Sequence, residues 1–257
     1  MDIAVCVKHV ATLGDEVDFD GSGTDVDPDY LEWALNEWDV YAVEEALRLR
    51  EAAGEGEVVL VTVGAEGADE SLRRGLAMGA DRAVRVDPGD RAGAGPLDAS
   101  SLAHGLADVI DELHPDLVLA GVQSSDSVQA ATGTMLAQLL GLPVAAVVKR
   151  VELVAGAGTA RVHRELEGGL VDVMEMDLPG VITVQTGINE PRYANLRAIK
   201  QAREKEIAVR DLDPSAVPSS KVERMFAPPA GESAEPLGDD PAEVARRIVE
   251  IVTARLS

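Results

Sequence analysis

Cysteine occurs once in the 257 residues, at Cys6. An internal disulfide is therefore excluded, and a zinc or iron–sulfur site built on cysteines lacks its ligands. Cys6 lies inside an apolar run and reads as a small buried hydrophobe. Long apolar runs are also missing. The 46% of hydrophobic residues is broken into short stretches, none reaching the roughly 18 residues that suggest a membrane span. A soluble chain without direct membrane insertion is expected. The opening Asp2-Ile3-Ala4-Val5-Cys6-Val7 has no charged n-region, long apolar segment or cleavage site, which points to the cytoplasm.

Basic residues are scarce. Lys and Arg number 23 against 46 Asp and Glu, a formal charge of −23, and lysine is confined to Lys8, Lys149, Lys200, Lys205 and Lys221. Such a surface repels nucleic acid. It suits either an ordinary acidic cytosolic protein or one adapted to high salt, where screening removes most self-repulsion; the charge favours the halophilic reading. Enzyme signatures are absent as well: there is no Walker lysine loop, paired-histidine zinc helix or serine nucleophile elbow. His9, His104, His114 and His163 are scattered and read as surface or capping residues. No catalytic residue and no metal ligand is expected.

What is present is an alternating α/β pattern. Ile3 to Val7, Val58 to Val63, Ala83 to Val86 and Leu117 to Val122 read as core strands. Tyr41 to Arg50, Glu66 to Met78, Ser100 to Leu113 and Val128 to Leu140 carry apolar residues at three- and four-residue spacing, as helices do. The alternation predicts a mostly parallel sheet flanked by helices. Pro143 to Val148 reads as a further strand. Val151 to Leu153 and Thr159 to Arg164, joined through Ala155-Gly156-Ala157-Gly158, read as an added hairpin; Leu170 to Met176 and Val181 to Gln185 add strands and make this part mixed. An α/β domain over 1–190 is expected. Residues 191–257 then form a loop and a C-terminal docking arm, punctuated by Pro214, Pro218, Pro228, Pro229 and Pro236. The arm ends in an amphipathic helix, Ala242 to Leu256, behind Asp239-Asp240-Pro241.

Four segments carry the candidate chemistry. The turn Gln123-Ser124-Ser125-Asp126-Ser127 follows the fourth strand, where open parallel sheets bind ligands. Gly121 would let a ligand approach the backbone, while serine hydroxyls and free helix amides suit phosphate; helix capping explains the same residues equally well. Asn36-Glu37-Trp38-Asp39 opens a helix, with Trp38 able to stack on a planar ring or simply to pack. Arg164-Glu165-Leu166-Glu167-Gly168-Gly169 places a sharp turn beside a carboxylate, as an ordinary hairpin also does. Asn189-Glu190-Pro191-Arg192-Tyr193-Ala194-Asn195-Leu196 reads as an Asn-capped helix start rich in contact-forming residues.

In this order the segments resemble the beta subunit of electron transfer flavoproteins, from Ile3 to about Ile207. Val7-Lys8, Ala42 to Ala46, Ala77 to Arg82, Arg164-Glu165 with Gly168-Gly169, Leu178-Pro179 and Asn189 to Tyr193 carry the resemblance. It implies an electron carrier subunit that is not itself an enzyme, with a nucleotide-binding α/β domain over 1–190 and, over 191–257, a partner-recognition loop ahead of the docking arm. It also implies AMP held in this subunit by Cys6, Asn36, Glu37, Trp38, Asp39 and Val63, and by Gly121, Val122, Gln123, Ser124, Ser125, Asp126, Ser127, Val128, Gln129, Ala130, Ala131 and Thr132. FAD is then held mainly by an alpha subunit, with Glu165 near the flavin. Pro191, Arg192, Tyr193 and Leu196 fall in the partner-binding loop, with Leu196 as its anchor.

The partners so implied are the alpha subunit, flavoprotein dehydrogenases and a membrane quinone reductase. Ala130-Ala131 stands where many members carry Asn-Gln, which leaves phosphate to backbone amides and hydroxyls. Leu35 to Asp39 with Gly121 to Asp126 resembles the subgroup that serves trimethylamine dehydrogenase. Gln201 and Glu204 interrupt the basic run that follows the loop in mitochondrial members. The alternatives are a bifurcating flavoprotein with a second flavin and a nucleotide-binding regulatory homodimer.

Overall fold

The computed structural model describes residues 1–14, 17–89, 97–154, 156–213, 220, 222–227 and 236–256. Ala155 of the expected hairpin turn and the prolines at 214, 218, 228 and 229 lie outside the described residues. Contacts divide the chain into two compact units, Met1–Met225 and Phe226–Ser257.

Among the described residues of the first unit, nine strands form one sheet. They are β1 (Ile3–Cys6), β4 (Val58–Val63), β5 (Arg82–Asp87), β6 (Leu117–Gly121), β7 (Val144–Val154), β8 (Thr159–Glu165), β9 (Val171–Asp177), β10 (Gly180–Val184) and β11 (Ile207–Asp211). Their order is β11-β5-β4-β1-β6-β10-β7-β8-β9, parallel from β11 to β7 and antiparallel from β7 to β9. The expected mostly parallel sheet with an added mixed region is thus present. β7 runs as one strand with a register shift between Val148 and Arg150, joining the two strands read separately from the sequence.

Alternation along the strands sorts side chains to two cores. Ile3, Val5, Val58, Leu60, Leu117 and Leu119 meet Ala42, Val43, Ala46 and Leu47 of α1 (Glu37–Ala53) and Leu72 and Leu76 of α2 (Asp69–Met78). Ala4, Cys6, Val59, Val61 and Val118 meet Ala103, Leu106 and Ile110 of α3 (Ala99–Leu113) and Leu136 and Ala137 of α4 (Thr132–Leu140). Each large aliphatic side chain buried in this way contributes roughly 1.5–3 kcal/mol. Because β4 and β6 flank β1 on opposite sides, the strand order reverses between β1 and β6, leaving a crevice at their carboxyl ends.

Several elements differ from expectation. β2 (His9–Leu13) and β3 (Leu31–Leu35) pair as an antiparallel ribbon that the sequence did not announce. α4 begins at Thr132, because Val128 (φ 51) and Ala130 (φ 50) take left-handed conformations that a helix excludes. Asn189 caps no helix. The residue that does is Asn195, whose side chain accepts from the Ala198 amide at 3.0 Å to start α5 (Leu196–Glu204). Beyond position 190 the chain continues through α5 into β11 at the edge of the same sheet.

The second unit contains α6 (Pro241–Leu256), whose first turn is capped by Asp240 accepting from the Ala242 amide at 3.1 Å. None of its residues is buried, and Ile248, Val249, Ile251, Val252 and Leu256 are exposed. Among the described residues no helix is long and apolar enough to cross a membrane.

Candidate functional site

A pocket occupies the crevice between the ends of β1 and β6. Its construction starts at α1. Asn36 stands at the N-cap position but makes no capping bond; its Nδ2 donates to the Gln123 carbonyl (2.9 Å) and its Oδ1 accepts from the Ser125 amide (3.2 Å). One turn later Asp39 accepts from the Lys8 amide (2.8 Å) and the Gly121 amide (3.0 Å). Two side chains of α1 thereby tie together the strand ends and the loop that follows β6. Gly121 is needed for this closure: a Cβ there would lie 2.4 Å from Asp39 Oδ1 and 2.6 Å from Trp38 Cβ. Room for α1, rather than for a ligand, explains that glycine.

The loop over 122–131 forms the second wall. Left-handed φ costs a β-branched residue such as Val128 about 1–2 kcal/mol or more, and this loop holds both Val128 and Ala130 there. Where it enters α4, Ala131 offers no side-chain cap, so the first amides of the helix have no acceptor within it. Gln129, Ala130, Ala131, Thr132 and Gly133 line the pocket at this end, with Ser124 and Ser127 beside them. Lys8 adds a cation, its Nζ donating to Ser124 Oγ (3.2 Å) and to Asp126 Oδ1 (2.7 Å). Opposite stands an apolar wall that includes Cys6, Val63, Leu97, Leu102 and Leu106. The arrangement suits a ligand apolar at one end and anionic at the other, since helix-terminal amides and dipole favour negative charge.

Burial pushes the Asp39 carboxyl up to about 7, against the opposing effect of the hydrogen bonds from Lys8, Asn36 and Gly121. Burial likewise pushes the Cys6 thiol up and, with Asp39 adding to it, keeps that group a neutral hydrophobe. Asp126 goes the other way: burial opposes its ionisation, but Lys8 and Ser124 outweigh it and hold the carboxyl below the ordinary aspartate range.

Of the residues expected to hold a nucleotide, Cys6, Asn36, Asp39, Val63, Gly121, Val122, Gln123, Ser124, Ser127, Gln129, Ala130, Ala131 and Thr132 line the pocket. Glu37, Trp38, Ser125, Asp126 and Val128 are outside that lining. Trp38 donates from Nε1 to Gln185 Oε1 at 3.1 Å. Sequence reasoning missed Lys8 as a site residue and missed the wall from α3. A lysine directly after a buried strand and the Leu102/Leu106 spacing were the available signals.

The 189–196 segment lies along α1. Asn189 donates to the Tyr41 carbonyl (3.1 Å) and Glu45 Oε2 (2.9 Å), and Arg192 forks onto Glu44 and Glu51. Tyr193 is fully exposed and Leu196 is 79% exposed. Glu165 ends β8 and pairs with Lys149 at 3.1 Å, just before a turn in which Gly168 and Gly169 have φ of 74° and 76°.

Fold and site together define a doubly wound α/β protein with an anion-receptive pocket at its topological switch point. Comparison narrows that class. The family model for the electron transfer flavoprotein domain matches residues 25–215. The chain is 43% identical to the electron transfer flavoprotein subunit beta of Methylophilus methylotrophus over 98% of each chain. It is 34% identical to that of Bacillus subtilis (strain 168) over 88% of each. With the mitochondrial subunit beta of Arabidopsis thaliana it shares 35% identity over 91% of this chain and 92% of the relative. The chain belongs to the electron transfer flavoprotein beta subunit family, and its role is electron transfer as a carrier subunit, not an enzyme.

Proposed function

We propose that this chain pairs with an alpha subunit and holds AMP in the β1/β6 pocket, while the FAD that carries the electrons is held mainly by alpha. The observation that carries this reading is the two-sided pocket, apolar on the α3 face and lined at the α4 end by serine hydroxyls and the uncapped start of the helix. The backbone amides over 129–133, with Ser124, Ser127 and Lys8, would hold the phosphate; Cys6, Val63, Leu102 and Leu106 would flank the adenine. Bound only by the folded form, AMP stabilises the subunit by mass action. It supplies no redox chemistry.

Flavoprotein dehydrogenases dock at the loop with Pro191, Arg192, Tyr193 and Leu196, and electrons pass on to a membrane quinone reductase in the cytoplasm. Identity with the Methylophilus methylotrophus relative supports the subgroup whose donor is trimethylamine dehydrogenase. Glu165 faces the flavin side, and α6, with its uncovered apolar residues, serves as the arm that docks on alpha.

Cofactor stoichiometry of the coexpressed heterodimer tests the assignment. One AMP and one FAD released on denaturation are expected; two flavins and no AMP would point to the bifurcating arrangement, and no flavin to a regulatory module.

The charge of −23 supports a halophilic setting. Withdrawing salt from molar to about 10 mM lengthens the Debye length from about 3 to 30 Å and lets the carboxylates repel one another. The heterodimer is therefore expected to unfold at markedly lower temperature at low ionic strength. A melting temperature independent of salt would remove this proposal.

A further inference from the structure

Arg192 stands beside the most exposed apolar residues of the segment, yet its own side chain is turned inward. Its Nε and Nη2 donate to Glu44 at 2.9 and 3.1 Å, and its Nη1 and Nη2 donate to Glu51 at 2.7 and 3.2 Å. The Arg192 backbone amide adds a bond to Glu44 Oε2 at 3.0 Å. The Glu44 side chain is 6% exposed, so its charge depends on this fork for compensation. Its hydrogen bonds to Glu51 and then to Glu44 hold the Arg192 guanidinium firmly protonated. Three residues earlier Asn189 is tied to the same helix through Tyr41 and Glu45, and three residues later Asn195 caps α5. Between these fixed points Tyr193 is fully exposed, and Leu196, directly after the second of them, is 79% exposed.

We infer that Arg192, with Asn189, is a positioning residue for partner docking: it lashes the 189–195 segment to α1 so that Tyr193 and Leu196 project as a preorganised apolar pair. This rests on the reading of Leu196 as the dehydrogenase anchor. The physical gain is entropic. A segment without its own hydrogen-bonded ladder would have to be ordered when a partner arrives, and ordering it beforehand removes that cost from binding. Arginine suits the task because its planar fork can engage two carboxylates at once, which a lysine cannot do with the same geometry. The residues that touch the partner and the residue that determines docking strength are therefore different.

The test uses the coexpressed heterodimer carrying Arg192→Ala, Arg192→Lys, Glu51→Gln, Leu196→Ala or the Arg192→Ala/Leu196→Ala double change. Glu51→Gln loosens the fork without stranding a buried charge and so covers the case in which Arg192→Ala fails to fold. Amide hydrogen exchange of residues 189–195 is expected to speed up about tenfold or more in Arg192→Ala, less in Arg192→Lys and Glu51→Gln, and not at all in Leu196→Ala.

With reduced trimethylamine dehydrogenase as the donor, the half-saturating concentration should rise about tenfold in Arg192→Ala while the limiting rate of flavin reduction stays within about twofold. The double variant should be little worse than the weaker-docking single variant, because both changes disable one element. Unchanged exchange over 189–195 in Arg192→Ala and Glu51→Gln would overturn the inference, as would losses that multiply independently in the double variant. If Leu196→Ala alone leaves docking intact, the docking reading of the loop fails, while the exchange result still decides whether Arg192 holds the segment.

Discussion

An Asp39→Asn protein should lose the pH dependence that one buried carboxyl gives the native chain between about pH 4 and pH 7. In the fold this group titrates at about 7, against an ordinary value of 3.8, chiefly because burial disfavours its charged form. A carboxyl raised in this way binds its proton more tightly in the folded state than in the unfolded one. Its contribution to stability is therefore full below pH 4 and is lost as the pH rises through 7. The difference is about three pH units, and at about 1.4 kcal/mol each it corresponds to roughly 4 kcal/mol.

Asparagine cannot ionise, so the variant lacks this slope. It also puts an NH2 donor in place of one of the two carboxyl oxygens that accept from the amides of Lys8 and Gly121, and one amide left unsatisfied costs about 1–3 kcal/mol. Asp39→Asn should thus be clearly less stable than the native chain at pH 5, and the gap should narrow by pH 8. Thermal melts across that range check the outcome; parallel curves for the two proteins would mean that Asp39 is not the titrating group. Lowered carboxyls such as Asp126 and Asp87 act in the opposite direction but are common to both proteins and cancel in the difference.

How much of this arrangement the sequence disclosed depended on whether a signal was local. The strands β1, β4 and β6 and the helices packed on them were legible because burial on both faces imposes short β-branched runs and three-to-four spacing, as in Val58 to Val63 and Ala42 to Leu47. β11 was not legible. It is an edge strand reading Ile-Ala-Val-Arg-Asp, and its pairing with β5 depends on contact across more than a hundred positions. The ribbon of β2 and β3 is half-exposed, carries Glu32 and Trp33 on its surface, and has no turn signal in register with its ends.

The candidate site shows the same division. The polar turn over 123–127 was found through its composition and its place after a strand. The start of α4 was misplaced because Val128 and Ala130 hold left-handed φ without being glycine, a strain that tertiary contacts impose and composition does not reveal. Asn36 and Asp39 were placed at a helix start, yet their partners are Gln123, Ser125, Lys8 and Gly121, which only the folded sheet brings together. Arg192 was placed in a partner-binding loop by the family resemblance, its own residues indicating only a helix start rich in contact-forming side chains. The carboxylates that claim it, Glu44 and Glu51, are about two helical turns apart on a helix distant in sequence.

Gly121→Ala should disable the pocket outright. The added methyl would sit 2.4 Å from Asp39 Oδ1, 2.6 Å from Trp38 Cβ and 3.0 Å from the Trp38 carbonyl carbon. The last of these is backbone, so a rotamer change cannot relieve the overlap and the first turn of α1 must move. That turn carries Asn36 and Asp39, and its displacement breaks their bonds to Gln123, Ser125, Lys8 and Gly121 together. Overpacking alone costs about 1–3 kcal/mol, and each buried polar group left unpaired adds about 1–3 kcal/mol more.

A 1.4 kcal/mol loss already weakens binding about tenfold, so the variant heterodimer should purify with nucleotide content reduced by an order of magnitude or more. Gly133→Ala provides the comparison. Its Cβ would overlap the Thr183 methyl at 2.5 Å and touch Ala120 Cβ at an ordinary 3.7 Å, and it should perturb the α4 end of the pocket while leaving α1 in place. Full nucleotide occupancy in Gly121→Ala would mean that α1 can withdraw without opening the site, and would separate the strand-end staple from ligand retention.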